Sequence, residues 1–89
     1  MQDWDEAKQR ANLEKHGVDF ASVALFDWDS AVTVEDIRRD YGERRLHSTG
    51  LIGRRLHVLI WTPRAAGARI ISLRRANARE IRRWEDENG

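Results

Sequence analysis

The sequence predicts an α+β fold: two N-terminal helices, a four-stranded, twisted antiparallel sheet and one C-terminal helix. Capping residues precede polar helical stretches at both ends of the chain, and four short segments rich in β-formers lie between them. The connections are short, which favours a meander of neighbouring strands. The 89 residues contain no linker or low-complexity segment, so we expect a single domain over residues 1–89.

The first helix is expected to begin near Trp4, with Asp3 or Asp5 as its N-cap, and to end at His16. Gly17 is placed to follow it in a left-handed conformation. The apolar stripe of this helix is thin.

The second helix is expected to follow an Asp19 N-cap and to end near Asp27, so that the two helices form an αα-hairpin. Its predicted buried side consists of Phe20, Val23, Ala24 and Phe26.

Four segments are expected to form the sheet: residues 31–34, 44–51, 56–61 and 68–73. The third is apolar on both sides, which predicts a central strand. Gly50 and Gly53 are expected to flank the preceding turn, and residues 62–67, with the chain's one proline, to form a hairpin loop.

The last helix is expected to start at Asn77, whose side chain can cap it. Glu80 lies three positions later, where it can reach back to the cap in an asparagine variant of the capping box.

Charge is strongly segregated along the chain. Residues 1–40 carry five Lys or Arg against ten Asp or Glu, whereas residues 41–84 carry eleven Arg against two Glu. The only lysines are Lys8 and Lys15. Because a guanidinium group grips phosphate in two places and stays charged when partly dehydrated, the block favours a polyanionic partner.

Other classes are disfavoured by composition. The chain has no cysteine, which excludes disulfides and thiolate metal sites and is typical of a reducing cytoplasm. The longest apolar run, residues 58–61, is too short to span a membrane. No carboxylate cluster has metal-ligand spacing, and no cofactor or metal is expected.

Several stretches together resemble the BrnT family, the ribonuclease toxins of bacterial BrnT–BrnA type II toxin–antitoxin pairs. They are residues 4–8 (WDEAK), 12–18 (NLEKHGV) with Phe20, Gly42-Glu43 with Arg45-Leu46 and Gly50, Thr62 with Arg64, and residues 69–72 (RIIS) with Arg74, Ala76 and Glu80. Their order and spacing extend the resemblance over nearly the whole chain.

The resemblance implies a RelE-like fold and an endoribonuclease that inhibits translation. It also implies a BrnA-like antitoxin with a ribbon-helix-helix DNA-binding domain, through which the complex would contact operator DNA. The chain departs from the family pattern at three positions. Trp84 stands where a tyrosine is usual and has no titratable proton, Leu73 replaces a small residue, and Pro63 replaces a polar one.

Metal-independent RNA cleavage needs cations that stabilise the charge of the transition state. We assign this role to Arg64, Arg69 and Arg74, with Arg45 in support. Arg69 and Arg74 are an odd number of positions apart, so a regular strand would direct them to opposite faces. Both can serve only if the strand ends or bulges between them.

The general base and acid are harder to predict. His16 lies on a family motif and is our catalytic candidate, although a helix C-terminus also stabilises a histidine for structural reasons alone. His47 and His57 lie outside the motifs, and the loop residues Asp40 and Tyr41 stay open as alternatives.

Further residues are predicted to contact RNA: Lys15, Trp61, Trp84 and Glu80. The tryptophans could stack on bases, and Glu80 could orient Arg74 or Arg45. Two other classes of function stay open. The chain could be a module that binds nucleic acid without cutting it, or one whose arginines bind an acidic protein partner.

Overall fold

The computed structural model describes residues 2–88, so the end residues of the predicted 1–89 domain, Met1 and Gly89, lie outside the described part. One sheet has the strand order β1-β5-β4-β3-β2. The elements, in chain order, are β1 (Gln2–Trp4), α1 (Glu6–His16), a 3₁₀ helix (Phe20–Leu25), β2 (Val32–Glu35), β3 (Leu46–Ile52), β4 (Arg55–Arg64), β5 (Gly67–Arg75) and α2 (Ala78–Asn88). None of the helices in this part of the chain has the length and apolar character needed to cross a bilayer.

The α+β class is confirmed, but the predicted count of four strands is wrong. A fifth strand, β1, runs parallel to β5, with Asp3 beside Arg69 and Trp4 beside Ile70. Three residues are too few to show an alternating pattern, which is why the sequence analysis placed Trp4 in a helix. The Trp4 ring instead packs edge-on against Phe20, with ring centroids 6.0 Å apart.

The caps of α1 are confirmed. The Asp5 carboxylate accepts hydrogen bonds from the backbone N–H groups of Ala7 and Lys8, and these bonds lower the pKa of Asp5. Gly17 has φ +69°, the left-handed conformation that ends the helix without strain.

The second predicted helix is a six-residue 3₁₀ helix rather than an α-helix, with Asp19 as its N-cap as expected. Three residues per turn place Phe20, Val23 and Phe26 in one line, and all three are buried. Ala24, which was predicted to be buried, lies off that line and is exposed.

Asn12 is the buried residue of α1, and it joins this helix to β5. Its amide donates to the carbonyl of Leu73 (2.8 Å) and to that of Val18 (3.0 Å), while its Oδ1 accepts from the Leu73 N–H (3.1 Å). Because β1 pairs with β5 only as far as Ile70, the Asn12 side chain supplies the hydrogen bonds that a longer strand would provide at Leu73.

β4 is central in the sheet, as predicted. The predicted loop at residues 62–67 is wrong, however, because β4 continues to Arg64 and the turn comprises only Ala65 and Ala66. β3 pairs with β4 only as far as Trp61. At Pro63, β4 therefore has only one neighbouring strand to hydrogen-bond with, β5, and such a position in a sheet tolerates proline.

Gly50 lies inside β3 rather than beside the turn. A Cβ atom there would be 2.7 Å from the Phe26 ring, so the ring occupies the space that a side chain would need. The predicted turn residue Gly53 does lie between β3 and β4, with φ +63°.

One face of the sheet, which we call the core face, holds the main hydrophobic core. The 3₁₀ helix and its flanks contact this face, and α1 packs along β5 at its margin. The buried cluster consists of Val18, Phe20, Val23, Phe26, Leu59, Ala68, Ile70 and Leu73. The opposite face is thus left to other side chains.

Candidate active site

The face opposite the core carries the four arginines predicted to bind phosphate: Arg45, Arg64, Arg69 and Arg74. We call it the arginine face. Cross-strand partners lie on the same face of a sheet, and Arg74 pairs with Val58, Arg69 with Thr62. Arg64 follows the same alternation two residues after Thr62. Arg45 immediately precedes β3, on the side opposite the buried Leu46.

A β-bulge in β5 brings Arg69 and Arg74 to one face. Trp61 pairs with Ile70 whereas Ile60 pairs with Ser72, so Ile71 has no partner on β4. The extra residue reverses the alternation. Ala68, Ile70 and Leu73 all point to the core, and Arg69 and Arg74 both point away from it. β5 therefore bulges between Arg69 and Arg74, which is the condition under which both can serve on one face.

Arg74 is anchored by Glu80 at the start of α2. Two guanidinium nitrogens of Arg74 each donate to a Glu80 carboxylate oxygen at 2.8 Å. Glu80 also accepts from the Asn77 N–H (2.8 Å), and its own N–H donates to Asn77 Oδ1 (2.9 Å), so the predicted capping box is present. The hydrogen bonds with Arg74 lower the pKa of Glu80 and raise the pKa of Arg74. One carboxylate thus both caps the helix and orients the arginine.

Arg64 and Arg69 have weaker partners and stay accessible. Arg64 donates to Glu43 at 3.4 Å, and Arg69 lies 3.7 Å from an Asp3 carboxylate oxygen. Ion pairs this exposed contribute little to stability. A guanidinium group has five N–H donors, so both arginines keep donors free for a phosphate.

Arg45 lies over the ring of Tyr41, with its guanidinium carbon 3.9 Å from the ring centroid. Its Nε is buried, and within residues 2–88 it is the one buried side-chain nitrogen or oxygen that lacks a hydrogen-bond partner. An unpaired buried donor is costly unless a ligand or water completes it. The guanidinium group of Arg45 therefore lies against the Tyr41 ring, and its Nε–H has no hydrogen-bond acceptor.

Beside Arg45, a histidine and a buried carboxylate are in contact. His47 Nε2 lies 3.2 Å from Asp36 Oδ2, and the Asp36 side chain is only 2% exposed. Asp36 also accepts from the Tyr41 hydroxyl (2.9 Å) and from Arg38. His47 belongs to the arginine face, because it alternates with the buried Leu46 and Ser48.

A groove of about 310 Å³ separates α2 from the sheet on this face. His47 and Trp84 line it, together with Thr49, Glu80, Arg83, Glu87 and valines of β2 and β4. The Trp84 Nε1 donates to the Ser30 carbonyl at 3.0 Å, so this indole ties α2 to the loop before β2.

Two predicted residues of α1 lie at the margin of the arginine face. Lys15 and His16 border a second depression together with Ile71 and Ser72. Burial lowers the pKa of His16, and the charges of Lys15 and Arg74 lower it further. No hydrogen bond orients the His16 ring within residues 2–88.

Trp61 is not brought to this site. It lies on the core face, where its Nε1 donates to Ser48 Oγ at 2.8 Å and its ring packs edge-on against Trp28. His57 is also on that side and is buried, with Nδ1 2.9 Å from the Arg55 carbonyl.

Asp36 was missed by the sequence analysis, and His47 was ranked below His16. The two residues are eleven positions apart, and neither belongs to the stretches that carried the family resemblance. The register of β2 against β3 is what could have indicated their contact. This pairing places Glu35 beside Leu46 and hence Asp36 next to the start of β3.

No group of three or more His, Asp or Glu side chains within residues 2–88 is arranged to hold a metal ion. The four arginines of the arginine face each have a carboxylate or aromatic partner instead.

A family model described as "Ribonuclease toxin, BrnT, of type II toxin-antitoxin system" matches residues 4–80. The matched range runs from Trp4, the last residue of β1, to Glu80 and so includes β2, β3, β4 and β5. A search of curated proteins found no match.

Proposed function

The chain belongs to the BrnT family of ribonuclease toxins of type II toxin–antitoxin systems, and from this premise we propose that it is a metal-independent endoribonuclease whose arginine face binds the RNA backbone. The toxin acts in the cytoplasm, where RNA cleavage inhibits translation, and a BrnA-like antitoxin neutralises it.

The observation that carries this proposal is the bulge at Ile71, which places Arg69 and Arg74 on the same face as Arg45 and Arg64. Attack of a ribose 2′-hydroxyl on the adjacent phosphate creates a phosphorane-like transition state with additional negative charge. Fixed guanidinium groups stabilise this charge without reorganising, because Glu80 already orients Arg74.

The roles of the four arginines follow from their partners. Arg74 is the most firmly oriented and is assigned to the scissile phosphate. Arg64 and Arg69, whose ion pairs are long and exposed, bind the flanking phosphates. Arg45 contributes its unpaired Nε. Lys15 extends the positive surface past the edge of β5, with His16 beside it as a neutral donor or acceptor, and Trp84 offers the exposed part of its ring for stacking.

The test is cleavage of a long transcript by purified protein in EDTA, with and without ribosomes. We expect Arg74→Ala to lower the cleavage rate by about 10²- to 10³-fold, the effect of removing one transition-state donor. Arg64→Ala should have a smaller effect, mostly on affinity. Arg54→Ala, in the exposed turn between β3 and β4, is the matched control and should cleave normally.

Two results would contradict the proposal. Full activity of the Arg64→Ala, Arg74→Ala double variant would remove these residues from the mechanism. Salt-sensitive binding of RNA that stays intact would favour a binding module instead. Circular dichroism of each variant separates a chemical loss from a loss of fold.

The partner is proposed from the family, since a type II system pairs its toxin with a protein antitoxin. We propose that this antitoxin carries a ribbon-helix-helix domain and that the complex contacts operator DNA through it. The neighbouring reading frame, co-expressed with a tagged toxin, should co-purify with it and restore growth. Growth arrest that persists despite co-expression would contradict this assignment.

A further inference from the structure

His47 contacts Asp36, and other hydrogen bonds to Asp36 fix the position of its carboxylate. Asp36 accepts four hydrogen bonds besides that of His47. They come from the Arg38 backbone N–H (3.1 Å), from Arg38 Nε (2.9 Å) and Nη2 (2.8 Å), and from the Tyr41 hydroxyl (2.9 Å). Five donors around one carboxylate fix its position and leave His47 only one orientation in which to bond it.

This environment decides which nitrogen of His47 carries the proton. The Arg38 side chain, followed by its backbone N–H and by Tyr41, holds the pKa of Asp36 well below its usual range, despite burial. An ionised carboxylate can only accept hydrogen bonds. His47 Nε2 must therefore donate, and the lone pair of Nδ1 is left free. Nδ1 makes no hydrogen bond within residues 2–88.

His47 is also placed where a substrate can reach it. Its side chain is 25% exposed, and it lines the groove between the sheet and α2. Glu80, the partner of Arg74, lines the same groove. Asp36 and Arg45 continue the pairing of β2 with β3, because the Arg45 carbonyl accepts a hydrogen bond from the Asp36 N–H at 2.8 Å. The pair thus lies among the arginines rather than apart from them.

Charged groups of both signs surround His47. The end of β2 and the segment after it contribute Glu35, Asp36 and Arg38, and α2 contributes Glu80, Arg83 and Glu87. Of the carboxylates, Asp36 is matched by Arg38, Glu35 by Arg44 at 3.3 Å and Glu80 by Arg74. A phosphate entering the groove therefore meets three neutralised acids, whereas Glu87 has no ion-pair partner within residues 2–88.

We propose that His47 is the general base of RNA cleavage and that Asp36 is its positioning residue, an assignment that rests on the proposed ribonuclease function. Nδ1 takes the proton of a ribose 2′-hydroxyl. The 2′ oxygen forms a bond to the adjacent phosphorus as the bond from phosphorus to the 5′ oxygen breaks. The departing 5′ oxygen takes a proton from water, and the imidazolium returns its own proton to solvent. The products are a 2′,3′-cyclic phosphate and a 5′-hydroxyl.

His16 is less suited to this role. Its ring has no carboxylate partner to select a tautomer, and it lies beside Lys15 at the outer margin of β5. Asp36 and His47, in contrast, share the arrangement by which an acid orients a catalytic imidazole in other enzymes.

The experiment compares variants on the same transcript in EDTA. His47→Gln keeps a donor for Asp36 but cannot act as a base, so cleavage should fall by about 10²- to 10⁴-fold at an unchanged melting temperature. Imidazole in the buffer should restore part of the activity of His47→Ala. Asp36→Asn should lower kcat and leave KM unchanged. Asp29→Asn, an exposed acid in the turn before β2, is the matched control. A substrate with a 2′-deoxy residue at the cleaved position should resist cleavage.

The outcomes separate the two proposals. If the wild type cleaves and Arg74→Ala does not, but His47→Gln cleaves at the wild-type rate, the assignment of His47 is overturned and the ribonuclease function stands. A loss confined to His16→Ala also overturns it. An inactive wild type overturns both. Nitrogen chemical shifts of the His47 ring in the wild type give a test that needs no variant: protonation on Nε2 is expected, and protonation on Nδ1 overturns the assignment.

Discussion

Replacing Asn12 with alanine should destabilise the protein more than any exposed substitution. The change removes the hydrogen bonds to both backbone groups of Leu73 and to the Val18 carbonyl. Leu73 has no exposed surface and Val18 is buried, so water has little access to these groups. The longer bond from Ser72 Oγ to Asn12 Oδ1, at 3.4 Å, is lost as well.

The loss in the free energy of unfolding can be worked out from these three backbone groups. A buried donor or acceptor without a partner costs about 1–3 kcal/mol, so three backbone groups at the lower limit cost about 3 kcal/mol. In a domain of this size each kcal/mol corresponds to about 4–8 °C, which predicts a melting temperature lower by about 12–24 °C. Urea unfolding followed by circular dichroism gives the free energy, and a thermal scan gives the shift.

Asn88→Ala is the matched control. Asn88 donates one exposed hydrogen bond, to the Trp84 carbonyl at the end of α2, and its loss should change the free energy of unfolding by less than about 0.5 kcal/mol. A loss below about 1 kcal/mol for Asn12→Ala would refute the reasoning, because it would mean that water or a shifted α1 satisfies Leu73 without the asparagine.

Two further predictions concern stability. Gly50→Ala should cost about 1–3 kcal/mol in urea unfolding, because the new Cβ lies 2.7 Å from the Phe26 ring, and an unchanged urea midpoint would show that the ring moves freely. Glu80→Gln tests the pair with Arg74. Because the pair lowers the pKa of Glu80, its stabilisation is complete above the ordinary glutamate pKa and is lost as the pH falls through the lowered value. The variant should therefore be less stable than the wild type at neutral pH and approach it in acid. A difference that does not depend on pH would contradict this.

The features that were predicted best from the sequence depend on contacts between residues that are close together in the chain. Asp5, Gly17, Asp19 and the Asn77–Glu80 box all act on backbone groups two to four positions away. Such contacts depend on local geometry alone, so the residue type and its spacing are sufficient to predict them.

The features that were missed depend on residues distant in sequence. β1 is a strand only because residues 68–70 lie beside it, and Trp61 lies on the core face, away from the arginines, only because of the register of β4. The contact between Asp36 and His47 likewise requires β2 and β3 to pair. The sequence predicted which arginines could share a face, but the bulge that unites them is a property of the pairing of β4 with β5.

The unpaired Ile71 makes the length of this strand matter as much as its composition. Removing a single residue between positions 70 and 73 would restore an unbroken alternation across β5. Arg69 and Arg74 would then be four positions apart and would stay on one face, with Ala68, Ile70 and Leu73 still directed to the core. Inserting one residue while a single bulge is kept would instead turn Arg69 inward and leave Ala68 and Ile70 facing water, so drift along this stretch should tolerate a deletion more readily than an insertion.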